Sequence, residues 1–398
     1  MDDIVIVSAV RTPVGSFNGA LGTLPAHALG AIALQAAFER AGVTADDVDE
    51  VILGQVLTAG EGQNPARQAG RAAGLPDAKT AFGINQVCGS GLRAVALAAQ
   101  QIRTGESAVV AAGGMESMSL SKHAAYLRAG QKMGGLEFID TMLKDGLWDA
   151  FHGYHLGNTA ENVAAKYQIT REQQDAFALA SHQRAIAAID SGKFAEEIIP
   201  VSIPQKKGDP IIVSTDERPR RDTTMESLSR LRPAFRKEGT VTAGNSSGLN
   251  DGAAAVFLMS AEKAAELRLK PLARIVASAA AGVPPRIMGL GPVGAVRKAL
   301  ERAKISLSDI GLIELNEAFA VQSLAVIKEL GLSTEITNVN GGAVALGHPL
   351  GCSGARILTT LLHEMRRRAP SEKRPFYGLA TLCVGVGQGE ATIVEWLD

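Results

Sequence analysis

Aromatic residues, cysteines and net charge are all scarce in this sequence. Only 4% of the 398 residues are aromatic, and the formal net charge is -1 at pH 7. Such a chain has no general electrostatic attraction to nucleic acid or to an acidic membrane surface. No apolar run approaches the roughly 20 residues of a membrane span. We therefore expect a protein without a membrane anchor or a nucleic-acid partner.

The three cysteines, Cys88, Cys352 and Cys383, lie far apart and form no CxxC pair. This spacing argues against a disulfide framework and against a structural zinc site. Free thiols are typical of a reducing compartment, so the sequence predicts a cytoplasmic location.

Glycine and apolar residues are abundant, and the chain contains an internal repeat. Residues 37–55 read AFERAGVTADDVDEVILGQ, and residues 299–317 read ALERAKISLSDIGLIELNE. Each is the end of an amphipathic helix, then a Thr or Ser three residues before an Asp, then a β-branched run. A glycine-flanked turn that opens a helix follows each copy, around Cys88 and around His348. The pattern predicts two related β-α-β halves with chemistry on loops at matching strand ends.

The stretch between the halves has broken periodicity and predicts an inserted region. Its clearest element is a helix over about 171–190, because Thr170 and Gln173 form a capping box. The predicted division is an N-terminal half of residues 1–118 and 248–268, an inserted loop domain of 119–247, and a C-terminal half of 269–398.

Cys88 stands in Gln-Val-Cys-Gly-Ser-Gly, after a short apolar run and before a predicted helix of about four turns. Unpaired N–H groups and the positive end of the helix dipole favour a thiolate there, below the usual thiol pKa of about 8.5. The alternative is a small buried residue at a strand–helix junction. The flanking glycines open space around the sulfur and favour a reactive thiol.

His348 lies in the equivalent turn of the second half, in Asn-Gly-Gly-Ala-Val-Ala-Leu-Gly-His-Pro-Leu-Gly. A histidine beside proline is often a satisfied structural group. Here the glycines and the proline demand a specific backbone path, and the repeat places His348 opposite Cys88. The two side chains would form an activated nucleophile pair.

Cys383 ends a predicted strand in Thr-Leu-Cys-Val-Gly-Val-Gly-Gln-Gly-Glu. A strand cysteine beside a dinucleotide-binding loop is the alternative, but the chain returns to strand instead of opening a long helix. We therefore predict a second exposed thiol. Cys352, at the start of a helix without a comparable loop, is predicted to be a spectator.

Asn316 and Glu317 are predicted to begin a helix at the end of the second repeated strand. Asn316 is then either a helix N-cap or an amide that holds a water or a thioester oxygen. The segment 218–237 has an excess of basic residues. It is either a solvated face or a site for a ligand with several phosphates.

Five ordered motifs, NQVCGSGLRA, GNSSGLNDGAA, NEAFA, NVNGGAVALGHPLGCSGAR and CVGVGQGEA, resemble those of the thiolases, in particular the biosynthetic acetyl-CoA acetyltransferase group. The resemblance covers essentially the whole chain. It implies a five-layered α-β-α-β-α fold of two pseudo-symmetric halves, with the inserted loop domain covering a coenzyme A site. It also implies a homotetramer without a permanently bound cofactor or metal.

By resemblance, Cys88 accepts the acetyl group, His348 activates it, and Cys383 is the acid/base for the α-proton of a second acetyl-CoA. One oxyanion hole would be His348 with a water held by Asn316. The other would be the backbone N–H groups of Cys88 and Gly385. The implied reaction joins two acetyl-CoA into acetoacetyl-CoA and free CoA.

The resemblance also implies a set of positions that contact coenzyme A or the acyl group. They are Leu147, His155, Leu156, Arg220, Ser227, Leu231, Phe235, Ala243, Ser247, Met288, Ala318 and Phe319.

The sequence departs from the biosynthetic group at three places. Leu156 stands where a Met is common, Val386 replaces a common Gly, and a few extra residues lie around 368–375. The first two keep open a broader degradative 3-ketoacyl-CoA thiolase, including the 3-oxoadipyl-CoA type. A ketoacyl-carrier-protein synthase would be expected to have His or Asn in place of Cys383, and a catalytically silent assembly protein would lack a reactive residue.

Overall fold

The computed structural model describes residues 3–372 and 374–397 of the chain. In this part of the chain the strands are β1 Ile4–Arg11, β2 Gly15–Ser16, β3 Glu50–Gly54, β4 Thr80–Ile84, β5 Val109–Ser117, β6 His123–Ala124, β7 Ile139–Asp140, β8 Trp148–Asp149, β9 Tyr154–His155, β10 Val201–Ile203, β11 Ile211–Val213, β12 Asn250–Ser260, β13 Ala273–Gly282, β14 Ile310–Leu315, β15 Tyr377–Val384 and β16 Gln388–Trp396. The α-helices are α1 Ala26–Ala41, α2 Pro65–Ala72, α3 Ser90–Thr104, α4 Leu156–Tyr167, α5 Arg171–Asp190, α6 Met225–Ser229, α7 Ala261–Glu266, α8 Gly291–Ala303, α9 Ala320–Leu330, α10 Ala343–Leu346 and α11 Leu350–Arg368.

The main sheet consists of two halves with the same strand order. The order is β3-β5-β12-β1 in the first half and β14-β15-β16-β13 in the second. In each half the first two strands run parallel and the following pairs antiparallel. The halves join where Val5 and Ile6 of β1 pair with β13. The prediction of two related halves is confirmed.

The repeated sequence folds in the same way in both copies. The Thr44 backbone N–H donates to the Asp47 carboxylate at 2.9 Å, and the Ser306 backbone N–H donates to the Asp309 carboxylate at 2.7 Å. Each pair is a capping box on a short 3-10 turn that leads into a buried strand. Sequence and local structure therefore repeat together.

Helices cover both faces of each half and meet between them. Helices α1 and α2 pack on the outer face of the first half and α8 on that of the second, while α3 and α11 lie between the two. Glycines allow this close approach, because a Cβ on Gly354 would lie 2.3 Å from the Leu92 nitrogen. This gives the predicted five layers and brings the starts of α3 and α11 together at the centre.

The connection between β5 and β12 contains β6 to β11 and α4 to α6. The helix predicted over 171–190 is α5, and its Thr170–Gln173 capping box is present. The predicted limits of the inserted domain, 119 and 247, remain a prediction. None of the helices formed by residues 3–372 and 374–397 is long and apolar enough to cross a membrane.

The helix predicted to begin at Asn316 and Glu317 begins later. Helix α9 starts at Ala320, with Phe319 at the N-cap position and no side-chain cap. Asn316 is instead held in the turn after β14, where its backbone N–H donates to the Thr381 carbonyl oxygen. The N-cap alternative for Asn316 is therefore wrong, and its side-chain oxygen has no hydrogen-bond partner among the described residues.

The extra residues near 368–375 follow the end of α11. A 3-10 turn covers Ala369–Ser371, and the chain re-enters the sheet at Tyr377. Of the predicted extra residues, Lys373 lies outside the described part of the chain.

Candidate active site

Cys88 lies between β4 and α3, one residue before the N-cap residue Gly89. Its side chain is only 4% exposed. Burial raises the pKa of the thiol to about 11, although the backbone N–H groups of Gly385 and of Cys88 itself point at the sulfur and oppose the rise. The placement at a helix start matches the prediction, but the predicted lowering of the pKa is wrong. Removal from water outweighs the helix dipole here.

His348 lies in the loop between α10 and α11, and its backbone N–H donates to Asn250 Oδ1 at 2.9 Å. Burial lowers the pKa of the imidazole to about 3, so the ring is neutral. Its Nδ1 lies 2.5 Å from Ser353 Oγ, and that hydroxyl donates to the Pro349 carbonyl oxygen. A hydroxyl has one hydrogen, so Ser353 accepts from Nδ1–H, which leaves a lone pair on Nε2.

The Nε2 atom of His348 is buried and has no hydrogen-bond partner among the described residues. The same is true of Asn316 Oδ1. The Asn316 amide nitrogen lies 3.4 Å from His348 Nδ1, so the two side chains are neighbours. A buried polar atom without a partner is costly unless a water or a ligand satisfies it. Both atoms are acceptors, so a bound water or a substrate group that donates a hydrogen would satisfy them.

Cys383 is the next-to-last residue of β15, and the turn Gly385–Gly387 follows the strand. Its side chain is only 1% exposed, so the predicted exposed thiol is wrong. Burial raises the pKa of Cys383 above its usual range, and the nearby Cys88 raises it further. The two thiols are therefore electrostatic neighbours, contributed by opposite halves.

Cys352 faces a different environment in the first turn of α11. It is buried against Ala254 and Ala355, and burial raises its pKa to about 12. Neither Cys88 nor Cys383 belongs to its cluster. The structure thus places Cys352 in packing, while its role as a spectator stays a prediction.

A cleft of about 320 Å³ lies in the inserted region. Four of the predicted coenzyme A contacts line it, namely Arg220, Ser227, Leu231 and Ala243. His182 and Arg218 line it as well, and the Arg220 backbone N–H donates to His182 Nδ1 at 3.1 Å. Burial and the nearby Arg218 lower the pKa of His182 to about 4, so the positive charge of the cleft comes from arginine.

The remaining predicted contacts form an apolar wall beside the thiols. One cluster contains Cys383 together with the predicted residues Leu156, Phe235, Met288, Ala318 and Phe319. His155 stacks on Phe235 with ring centroids 4.6 Å apart. The Ser247 backbone N–H donates to the Ala318 carbonyl oxygen, and Leu147 packs against the cluster that contains Cys88.

Several site residues were not found from the sequence. The sequence marks Arg218 only as part of the basic segment 218–237, and it marks Asn250 and Ser353 only as members of the GNSSGLNDGAA and NVNGGAVALGHPLGCSGAR motifs. It gives no signal for His182. Their neighbours come from distant parts of the chain, so spacing gave no signal for them. The GHPLGCSG motif contains Ser353 five residues after His348. Only this short spacing could have suggested the pairing of Ser353 with His348.

Two pseudo-symmetric halves that carry a buried thiol and a neutral imidazole near the starts of two packed helices, with a second buried thiol near the first, define the thiolase class of acyl-transferring enzymes. The chain belongs to the thiolase family. The thiolase N-terminal domain matches residues 4–262, and the thiolase C-terminal domain matches residues 269–396.

Similar proteins cover the whole chain. An acetyl-CoA acetyltransferase from Rhizobium meliloti (strain 1021) is 62% identical over 99% of both chains. One from Shinella zoogloeoides is 58% identical, again over 99% of both chains. The crystal structure of the Bacillus anthracis acetyl-CoA acetyltransferase superposes with a TM-score of 0.96 at 49% identity, and covers 100% of this chain and 99% of that one. The predicted family and fold are confirmed.

Proposed function

We propose that this thiolase is an acetyl-CoA C-acetyltransferase that reversibly joins two acetyl-CoA into acetoacetyl-CoA and CoA through an acetyl-Cys88 intermediate. The observation that carries the proposal is the meeting of two thiols from opposite halves, with the Gly385 N–H directed at the Cys88 sulfur. The names of the full-length relatives support the choice of acetyl-CoA as substrate.

In the first half-reaction the Cys88 sulfur attacks the carbonyl carbon of acetyl-CoA. Its proton passes to the free Nε2 of His348 and then to the sulfur of the departing CoA. Because both groups are neutral at rest, the proton moves as the carbon–sulfur bond forms. The backbone N–H groups of Cys88 and Gly385 are placed to stabilise the developing oxyanion, and such donors are each worth about 3–4 kcal/mol of barrier.

In the second half-reaction Cys383 passes its proton to the free Nε2 of His348, and the resulting thiolate removes an α-proton from a second acetyl-CoA. The enolate oxygen accepts hydrogen bonds from Nε2–H of the protonated His348 and from a water on Asn316, and the α-carbon attacks the acetyl carbonyl on Cys88. The Cys88 sulfur then leaves and takes the proton from His348 Nε2, which returns all three groups to their neutral forms. The raised pKa of Cys383 suits this role, since a thiolate in an apolar wall is a strong base toward a carbon acid.

Coenzyme A would occupy the cleft lined by Arg220 and Ser227, with its acyl end toward Leu156, Met288 and Cys383. The arginines of the cleft suit the phosphates of the nucleotide end. CoA enters and leaves as a substrate, so no permanently bound cofactor is part of the proposal.

A homotetramer and a cytoplasmic location complete the proposal. The segment 123–139 exposes large apolar side chains, with Tyr126 81% and Met133 91% exposed. Exposed apolar patches of this kind are typical of subunit contacts. All three cysteines are free, which suits a reducing compartment.

Thiolysis of a series of 3-ketoacyl-CoA substrates tests the proposal. We expect the highest kcat/KM for acetoacetyl-CoA, tolerance of one or two further carbons and a steep fall beyond. One methylene is worth only about 1–3 kcal/mol of discrimination, so modest breadth is expected. If 3-ketodecanoyl-CoA or 3-oxoadipyl-CoA is cleaved with an equal or higher kcat/KM, the degradative 3-ketoacyl-CoA thiolase replaces this reading.

A further inference from the structure

Glu116 is a fully buried carboxylate near the end of β5 that takes no part in the mechanism above. Its two oxygens accept three backbone N–H groups, from Val56 and Leu57 at 3.1 Å each and from Gly351 at 2.8 Å. A buried carboxylate is costly unless its oxygens are paired. The three donors therefore make this a specific junction between chain segments.

The donors belong to the two loops beside the reacting groups. Gly351 lies in the first turn of α11, three residues after His348. The first N–H groups of a helix have no partner within the helix, and a negative charge there is stabilising. Val56 and Leu57 follow β3, in the other half of the fold. Glu116 thus connects the start of α11 to the first half.

The contacts around this junction leave little room for adjustment. A Cβ on Gly351 would lie 2.7 Å from the Gln55 Cα and 3.0 Å from Glu116 Oε2. A Cβ on Gly54 would lie 2.5 Å from the Ser90 carbonyl carbon, at the start of α3. The last residue of β3 therefore touches the helix that follows Cys88, and the next residue, Gln55, touches the helix that follows His348.

We propose that Glu116 is a positioning residue, which ties the first turn of α11 to the segment after β3 and so fixes His348 relative to Cys88. The inference rests on the proposed acyl transfer, for which proton transfer between these two side chains is required. The charge of Glu116 raises the pKa of Cys88, so electrostatics alone would work against the nucleophile. The contribution of Glu116 is therefore geometric.

Glu116→Gln tests this role, because the amide keeps one acceptor oxygen and turns an NH2 donor toward backbone N–H groups. Misplacing a reacting group by about 1 Å can lower a rate about 100-fold. We expect kcat for acetoacetyl-CoA thiolysis to fall between about 10-fold and 100-fold. The KM for CoA should stay within about twofold, because the cleft at Arg220 and Ser227 belongs to other elements.

Asp49→Asn is the matched control. Asp49 accepts the backbone N–H groups of Ala108 and Val109 at 2.9 and 3.0 Å, at the opposite end of the same pair of strands. The control loses an acceptor of the same kind far from His348, so its kcat should equal that of the wild type.

Alkylation of Cys88 by iodoacetamide separates lost positioning from a collapsed site. At pH 8 the Glu116→Gln variant should be alkylated at least as fast as the wild type, because a negative charge near the thiol has been removed. Glu116→Asp keeps both acceptor oxygens on a shorter side chain and should show an intermediate kcat. If Glu116→Gln does not fold, the same measurements are made on Glu116→Asp.

Four results would overturn the positioning role. The first is a kcat for Glu116→Gln, or for Glu116→Asp if the first variant does not fold, that lies within twofold of the wild-type kcat. The second is an equal loss of kcat in Asp49→Asn, and the third is a rise in the KM for CoA as large as the fall in kcat. The fourth is loss of Cys88 alkylation in the variant. Wild-type thiolysis of acetoacetyl-CoA is measured first. Absence of that activity would refute the proposed function instead, independently of Glu116.

Discussion

The connection from β5 to β12 and the connection from β15 to β16 occupy matching places in the two halves. These connections differ in length far more than the matching strands do. The first contains β6 to β11 and α4 to α6, whereas the second is the turn Gly385–Gly387. The long connection carries the cleft at Arg220, while the short one directs the Gly385 N–H at Cys88. One duplicated scaffold thus separates recognition of the large substrate from the chemistry on its thioester.

The two reactive thiols show the same division. Cys88 of the first half has backbone N–H groups at its sulfur, as an acyl carrier requires to stabilise an oxyanion. Cys383 of the second half lies in an apolar cluster with Met288 and Phe319, as a base for carbon acids requires. The comparison predicts that the two thiols are not interchangeable.

Replacing each thiol should give the largest effect. Cys88→Ala should lose acetylation, condensation and thiolysis, with activity reduced by at least about 10⁴-fold because no nucleophile remains. Cys383→Ser should still become acetylated but lose condensation and thiolysis, because proton transfer from carbon follows acylation. Labelling with radioactive acetyl-CoA and steady-state thiolysis check both variants. Equal loss of acetylation in the two would contradict the division.

Asn316→Ala tests the oxyanion site that the second half supplies. Removing one donor of an oxyanion hole typically lowers kcat by about 10²–10³-fold, and a water-mediated contact should fall near the lower limit. The rate of Cys88 acetylation should change less than the rate of condensation, since the proposed water stabilises the enolate. Stopped-flow acetylation and steady-state condensation measure the two. A larger loss in acetylation would assign Asn316 to the wrong half-reaction.

The pH dependence of Cys88 alkylation shows whether the helix start lowers the pKa of this thiol or burial raises it. Thiolate is the reactive form, and below the pKa its fraction rises about tenfold for each pH unit. Since burial raises the pKa of Cys88 to about 11, the iodoacetamide rate should keep rising through pH 10. A plateau below pH 8 would instead support the lowered pKa expected from the helix dipole.

The smallest predicted effect is on the free energy of unfolding, and it concerns two β-branched residues with positive φ, one in each half. Val386 has φ 63° and Val87 has φ 46°, a conformation that strains such residues. Val386→Gly should leave the free energy of unfolding unchanged or raise it by up to about 1 kcal/mol. Val87→Gly should lower it by about 1 kcal/mol, because the Val87 side chain packs against the apolar cluster that contains Cys88. Chemical denaturation of both variants measures the difference, and equal shifts would show that packing does not distinguish them.

The local structural features could be predicted from the sequence because each depends on residues a few positions apart. The repeat, the Thr44–Asp47 and Ser306–Asp309 caps and helix α5 are all confirmed. The positions of Cys88 and His348 at helix starts are also as predicted. Each of these features is decided within a few residues of the chain.

Burial and long-range partners were not readable in this way. The sequence predicted a lowered pKa for Cys88 and exposure of Cys383, and both are wrong because packing of the two halves removes the thiols from water. Helix α9 begins after Asn316 because the backbone N–H of Asn316 pairs with Thr381 of the neighbouring strand. These outcomes depend on tertiary contacts, which single-sequence patterns do not contain.

The most direct test of the division between the two thiols is to incubate the wild-type protein with radiolabelled acetyl-CoA and map the labelled peptide. The structure predicts label on Cys88 alone, because the backbone N–H groups of both Gly385 and Cys88 are directed at its sulfur and it lies at the start of α3. Label on Cys352 or Cys383, with none on Cys88, would contradict the account.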